Sequence, residues 1–218
     1  MINIIKSPAT EIKIDPKEVA TYLGYYSPDC CNHTTEDMIQ CCEKEFLGSA
    51  KFIACYEKVT VKINDGIVDL GFKTFHSHSL AKNLANCDYA YIMAATTGID
   101  AQRLIERNSI IDPLKGLVTD CIGSAAIEAF CDKINLSLGN GEYLRPRFSP
   151  GYGDLMLDYQ KDIIEFLQTN KSIGMSLTES LMMVPVKSVT AIIGIGKEKN
   201  KCTGPGCMIC SGVNCPYR

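Results

Sequence analysis

Apolar positions recur along this chain with two different periods, and the switches between them mark its elements. Asp15-Pro16 predicts a helix opening that runs toward Tyr22-Leu23-Gly24-Tyr25, with Gly24 near its end. Thr34 and Asp37 fit a capping box ahead of Met38-Ile39 and a helix to about Phe46. The period then falls to two. Val59, Val61 and Ile63 alternate with polar residues, Asn64-Asp65-Gly66 supplies turn chemistry, and Ile67 to Phe72 returns as the second arm of a hairpin. Asp88 to Thr96 reads as a buried strand that ends at Thr97-Gly98.

The middle of the chain is helical. Asp100 to Asn108 forms one short helix, and Asp112-Pro113 opens a longer one to about Ile134. Leu117, Cys121, Ser124/Ala125 and Ile127/Glu128 to Cys131 recur there at helical spacing. Gly139-Asn140-Gly141 breaks the pattern, and a Gly/Pro-rich loop from Arg145 to Gly153 leads into an amphipathic helix through Tyr159, Ile163, Phe166 and Leu167. Ser188 to Ile195 is a closing strand. Elements that mix without alternating predict an α+β fold, a central antiparallel sheet with flanking helices, rather than a doubly wound sheet. Lys197 to Lys201 reads as a charged hinge, which divides the chain into a domain over residues 1–196 and a cysteine-rich tail over 197–218.

Composition narrows the class. Of 218 residues 46% are hydrophobic, which excludes a disordered chain, and 22 Lys+Arg against 25 Asp+Glu exclude a nucleic-acid binder working through bulk charge. The longest apolar run, Tyr89 to Ala95, falls far short of the ~20 residues a membrane helix needs. The opening MINIIKSPAT lacks the apolar stretch of a signal peptide. The expectation is a soluble, cytoplasmic protein with neither nucleic acid nor membrane as partner.

Cysteine is the outlier. Twelve residues make about 5.5% of the chain, below the ~8–10% of a disulfide scaffold, so reduced thiols are expected. Eight lie scattered between Cys30 and Cys131, whereas Cys202, Cys207, Cys210 and Cys215 crowd into the last 17 residues. Glycines and a proline between those four permit the tight turns that wrap thiolates around one centre. The C-x4-C-x2-C portion matches a plant-type iron–sulfur spacing, although the fourth ligand there lies much farther away. Structural zinc with four cysteines usually separates two pairs by a longer loop, which this tail lacks. Iron–sulfur, zinc and unligated or disulfide-bonded thiols all remain open on spacing. Elsewhere, His76-Ser77-His78 would place two imidazoles on one face of a strand with no carboxylate nearby, which reads as polar surface rather than a metal site, and Cys30-Cys31, His33 and Cys41-Cys42 read as scattered small hydrophobes rather than a zinc site.

The loop Arg147-Phe148-Ser149-Pro150-Gly151-Tyr152 has the chemistry of a small-ligand site. Arginine offers a planar fork for a carboxylate, Gly151 lets backbone approach a ligand, and Tyr152 presents a face to a ring or cation. An ordinary surface loop with a solvated arginine fits the same residues. Downstream come LTESLMMVP (177–185) and SVTAIIGI (188–195), and upstream IGSAAIEAF (122–130) around Glu128. Jointly these segments closely resemble the activation domain of cobalamin-dependent methionine synthase, which carries an R-x-x-x-G-Y loop, an L-T-E-S-x-x-M-x-P segment, an S-V strand and a helix ending in A-E-A-F. Tyr22-Leu23-Gly24-Tyr25 and ATTGIDAQRLIER (95–107) are more similar to short, free-standing relatives of that domain.

What the resemblance implies is an activation-domain-like fold, S-adenosylmethionine as ligand, and reductive methylation of cobalamin carried by a methionine synthase or another corrinoid protein, with a low-potential electron donor. No general base is implied, so no residue is assigned as catalytic. Arg147 would hold the methionine carboxylate, Gly151 and Tyr152 would shape the wall beside it, and Glu128 would face the ammonium or the ribose hydroxyls. Thr178 and Glu179 would contact the ligand or tie their loop to the core. Two features differ from the large enzymes: Ser124 stands where they place an aspartate one turn before the glutamate, and the cysteine tail replaces an aromatic-containing segment. A metal at Cys202, Cys207, Cys210 and Cys215 could then relay an electron. The competing classes are an iron–sulfur electron-transfer protein and a zinc-clasped docking module, neither binding S-adenosylmethionine.

Overall fold

The computed structural model describes residues 1–25, 33–139 and 141–197. The expected metal ligands Cys202, Cys207, Cys210 and Cys215, the boundary tail at 198–218, and Cys30, Cys31 and Asn140 lie outside them. The strands are β1 (Asn3–Ser7), β2 (Phe52–Thr60), β3 (Lys62–Asn64), β4 (Ile67–Asp69), β5 (Thr74–His76), β6 (Cys87–Thr96), β7 (Tyr143–Leu144), β8 (Ser176–Leu177), β9 (Met183–Val184) and β10 (Ser188–Gly196). The helices are α1 (Pro16–Tyr22), α2 (His33–Ser49), α3 (His78–Asn83), α4 (Ile99–Ile111), α5 (Pro113–Leu138), α6 (Tyr159–Phe166) and α7 (Thr169–Ser172).

Five strands form one antiparallel sheet in the order β1-β2-β6-β10-β7. The two long strands at its centre, β6 and β10, pair from Thr96↔Ser188 to Tyr89↔Ile195, then slip to Cys87↔Gly196. Alternation along each strand feeds two cores. Ala54, Met93, Ala95, Ala191 and Ile193 face a helical layer with Phe46, Ile122 and Phe130. Cys55, Ile92, Ala94 and Ile192 face the other way, toward Val68, Phe75, Leu80, Leu155 and Ile163 of the small β3-β4-β5 sheet, α3, α6 and the loop before it. The expected α+β architecture, a central antiparallel sheet with flanking helices, is the one observed.

Helix α5 is the spine of the helical layer. Asp112 caps it, accepting from the amides of Leu114 at 3.0 Å and Lys115 at 3.2 Å, and Pro113 fits its first turn because no hydrogen bond is required of that nitrogen. It lies against α1, α2 and α4 and is buried at thirteen positions, which explains why its apolar residues extend beyond a single stripe. Phe130 meets Phe52 of the sheet edge to face at 5.4 Å. Asp15 caps α1 in the same way, through the Lys17 amide at 2.9 Å.

Three sequence expectations shift. Turn residues Asp65 and Gly66 do join a hairpin, but its arms are only β3 and β4; Val59 belongs to the long strand β2, and Phe72 lies beyond β4. Thr34 and Asp37 lie inside α2, which begins at His33, rather than at its cap. Only His76 is in a strand, since His78 is the first residue of α3. Among the described residues no three His, Cys, Asp or Glu side chains gather as metal ligands, and no helix is long and apolar enough to cross a membrane.

Candidate functional site

The segment after β7 is stitched to the edge of β10. Arg145 donates its amide to the Gly194 carbonyl at 2.8 Å, and Phe148 and Ile192 exchange both backbone hydrogen bonds at 3.0 and 2.8 Å. Phe148 packs into the core on one face of the sheet, while Arg147 reaches helix α5 on the other. The loop then closes on itself: the Gly151 amide donates to the Leu155 carbonyl at 2.8 Å, with Gly151 at φ +93. Leu155 is buried, and Asp154 caps α3 by accepting from the Ser77 hydroxyl at 2.5 Å and the amides of His78 and Ser79 at 2.8 and 3.0 Å. Those donors, the Ser77 hydroxyl foremost, hold the Asp154 carboxyl well below the usual carboxylate range. Arg147 therefore projects from a loop anchored at both ends.

Its guanidinium meets two carboxylates on consecutive turns of α5. One terminal nitrogen donates to Glu128 Oε2 at 2.6 Å, the other to Asp132 Oδ1 at 2.7 Å. The Arg147 side chain is only 18% exposed, against 37% for Glu128 and 59% for Asp132. Burial alone works against the guanidinium's charge, but Cys131, Glu128 and Asp132 outweigh it and raise its pKa above the ordinary value. Burial pushes the neighbouring Cys131 thiol up to about 12.

Helix α1 closes a second side with Glu18 and Tyr22, one turn apart. Burial and then repulsion from Asp132, Asp15 and Glu128 raise the Glu18 pKa, with Arg147 opposing. Burial, followed by Glu128, Glu18, Tyr152 and Cys121, raises that of Tyr22. Tyr22 and Tyr152 are both exposed, and the Tyr152 ring stands edge to face with Phe148 at 6.0 Å. The result is one guanidinium among three carboxylates, flanked by two phenol rings. That donor set suits a small molecule carrying a carboxylate, cationic groups and a ring.

The α5 face continues one turn earlier with Ser124 and Asp120, and a second cation covers them. Lys187, just before β10 and 11% exposed in its side chain, lies 2.8 Å from Ser124 Oγ and 2.9 Å from Asp120 Oδ1. Ser124 is thus paired with a lysine on this face of the helix.

The structure brings Arg147 and Glu128 into direct contact and sets Gly151 and Tyr152 in the same loop. Thr178 and Glu179 fall in the β8–β9 turn. Thr178 builds that turn: its hydroxyl is 2.9 Å from Ser180 Oγ and accepts from the Met182 amide at 3.1 Å, while Glu179 is exposed. Neither makes a hydrogen bond or ion pair to Arg147, Glu128 or Asp132 among the described residues. Sequence reasoning missed Asp132, Glu18 and Tyr22. The four-residue spacing from Glu128 carried a signal for Asp132; nothing local links α1 to a helix a hundred residues on. A separate concavity of about 170 Å³, lined by Ser49, Asp100, Arg103, Leu104 and Arg107, shares no residue with this site.

Residues 76–201 match the family described as vitamin B12 dependent methionine synthase, activation domain. Among solved structures the chain is similar to one described as the MetH reactivation domain bound to AdoHcy, with a TM-score of 0.73 and 13% identity, over 93% of this chain and 80% of that one. Likeness at that identity speaks for the fold. No curated protein matches the sequence.

Proposed function

The chain belongs to the vitamin B12 dependent methionine synthase activation domain family, matched over more than half of its 218 residues, and on that premise we propose that it binds S-adenosylmethionine and serves the reductive reactivation of cobalamin on a methionine synthase or another corrinoid protein. The observation that carries this reading is the Arg147–Glu128 contact at 2.6 Å, which joins the two residues that the motifs mark as ligand-binding. The solved neighbour's AdoHcy supports the same ligand class.

The partner's cobalamin, once oxidised to its inactive state, regains activity by taking one electron from a low-potential donor and the sulfonium's methyl group. This chain's residues bind and orient the methyl donor. Arg147 holds the ligand's carboxylate, with Glu128 and Glu18 beside its ammonium and ribose. Glu128 and Glu18 favour the sulfonium charge, and Tyr22 and Tyr152 wall the site. No side chain has to move a proton, because breaking the C–S bond releases a neutral thioether. Catalysis reduces to positioning. The test is transfer of labelled methyl from S-adenosylmethionine to an oxidised corrinoid protein, with a chemical low-potential reductant. Transfer that depends on this chain and is lost with Arg147→Ala supports the proposal; chain-independent transfer overturns it.

We also propose that residues 197–218 form a distinct tail holding an iron–sulfur cluster or zinc at Cys202, Cys207, Cys210 and Cys215, which supports an electron-relay role if the metal is iron. Anaerobic purification with iron, sulfide and zinc analysis tests it. Iron with sulfide predicts that Cys207→Ser abolishes reactivation while S-adenosylmethionine affinity stays. Stoichiometric zinc without iron excludes the relay and leaves a structural clasp, and no metal excludes both.

A further inference from the structure

We infer that Asp132 is the positioning residue for Arg147: it holds the guanidinium in the orientation that receives a ligand's carboxylate. The inference rests on the S-adenosylmethionine reading above and assigns a role to a residue that no motif marks.

An arginine on a loop samples many rotamers, and freezing them weakens binding unless the protein has already fixed the side chain. Glu128 and Asp132 stand four residues apart, so they project from the same face of α5 on consecutive turns. Each takes a different terminal nitrogen of Arg147, at 2.6 and 2.7 Å. Two fixed points determine the guanidinium plane. Among the described residues two of its five N–H donors are used, which leaves Nε and one N–H on each terminal nitrogen for a ligand.

The two carboxylates are not equivalent. Both carboxylates lie near Glu18, Asp132 the more strongly, but Glu128 is the one beside Tyr22, on the side where the ligand's cationic part belongs. When Glu128 turns toward that part, its hold on Arg147 loosens. Among the described residues each carboxylate makes its hydrogen bond to Arg147, and the more exposed of the two is Asp132. It is therefore the anchor that persists in the complex. An alternative role is competition, in which Asp132 occupies Arg147 and must be displaced. The two roles predict opposite signs on deletion.

The experiment titrates the full chain with S-adenosylmethionine and with its decarboxylated analogue, in wild type, Asp132→Ala and Asp132→Glu. Restoring mobility to one long side chain should weaken S-adenosylmethionine binding roughly threefold to tenfold in Asp132→Ala. The decarboxylated analogue, with nothing to offer Arg147, should bind Asp132→Ala as it binds wild type, and Asp132→Glu should recover most of the loss. Asp132→Ala that binds S-adenosylmethionine equally or more tightly, or that loses both ligands alike, overturns the positioning role while leaving the ligand assignment standing. A wild type that binds neither ligand overturns the ligand assignment, and this inference with it.

Discussion

Gly153→Ala should destabilise the protein distinctly more than Gly151→Ala, although the two glycines are two residues apart in one loop. Both have positive φ, +55 at Gly153 and +93 at Gly151, so any Cβ there costs roughly 1–2 kcal/mol in backbone conformation. Their surroundings differ. A Cβ on Gly151 would meet only Leu157 Cδ1 at 3.6 Å, an ordinary contact. On Gly153 it would lie 2.6 Å from Ser79 Oγ and 2.8 Å from Ser79 Cβ. The hydroxyl can rotate away, but Ser79 Cβ is fixed to α3, so the loop itself must move. Overpacking of that kind adds roughly 1–3 kcal/mol.

The expected losses are therefore about 2–5 kcal/mol for Gly153→Ala and about 1–2 for Gly151→Ala. At about 2–4 °C per kcal/mol for a chain of this size, thermal denaturation followed by circular dichroism resolves the difference. Ser79→Gly removes both clashing atoms, so in the Gly153→Ala background it should return about 1–3 kcal/mol of coupling energy. Equal losses at the two glycines, or no recovery with Ser79→Gly, would refute the close approach of loop and helix. Because Arg147 sits on this loop, Gly153→Ala should also weaken ligand binding, and Ser79→Gly should restore it in step.

Two further outcomes follow from the caps. Asp154 has a carboxyl pKa depressed by its bonds to Ser77, Ser79 and His78, so its stabilisation is present above the unfolded value of about 4 and is lost as pH falls through the lower folded value. The melting-temperature gap between wild type and Asp154→Asn should therefore be fully open at neutral pH and narrow progressively as pH falls below about 4; a gap that does not narrow in acid contradicts the assignment. Asp112→Ala removes the cap of α5 and should cost about 1 kcal/mol, read as a lower urea midpoint at unchanged slope.

Much of the fold is legible in the sequence because it is local. Asp15-Pro16 and Asp112-Pro113 announce α1 and α5, and the apolar runs of β6 and β10 announce the centre of the sheet. The elements that escape are those defined by distant partners. β1 is five residues at a sheet edge, paired with residues about fifty positions on, and its own sequence reads only as a brief apolar patch. Val59 alternates as a hairpin arm would, yet pairs with Ala90 across the central sheet. The site divides the same way. Arg147 and Glu128 stand out through motifs, and their contact gives those motifs a shared geometry. Asp132, Glu18 and Tyr22 join only because α1 packs on α5, and Lys187 covers Ser124 only because the approach to β10 crosses the same helix. Side chains that act across elements carry no mark in a local pattern.

The central claim is that this face binds S-adenosylmethionine through Arg147, and isothermal titration of wild type and Arg147→Ala with that ligand tests it most directly. Loss of a charge-assisted contact to the ligand's carboxylate should cost about 1.5–3 kcal/mol, which is roughly tenfold to hundredfold in affinity. Saturable binding by wild type with that loss in Arg147→Ala is the predicted result. Absence of binding by wild type, or equal affinity in the two proteins, would contradict the account.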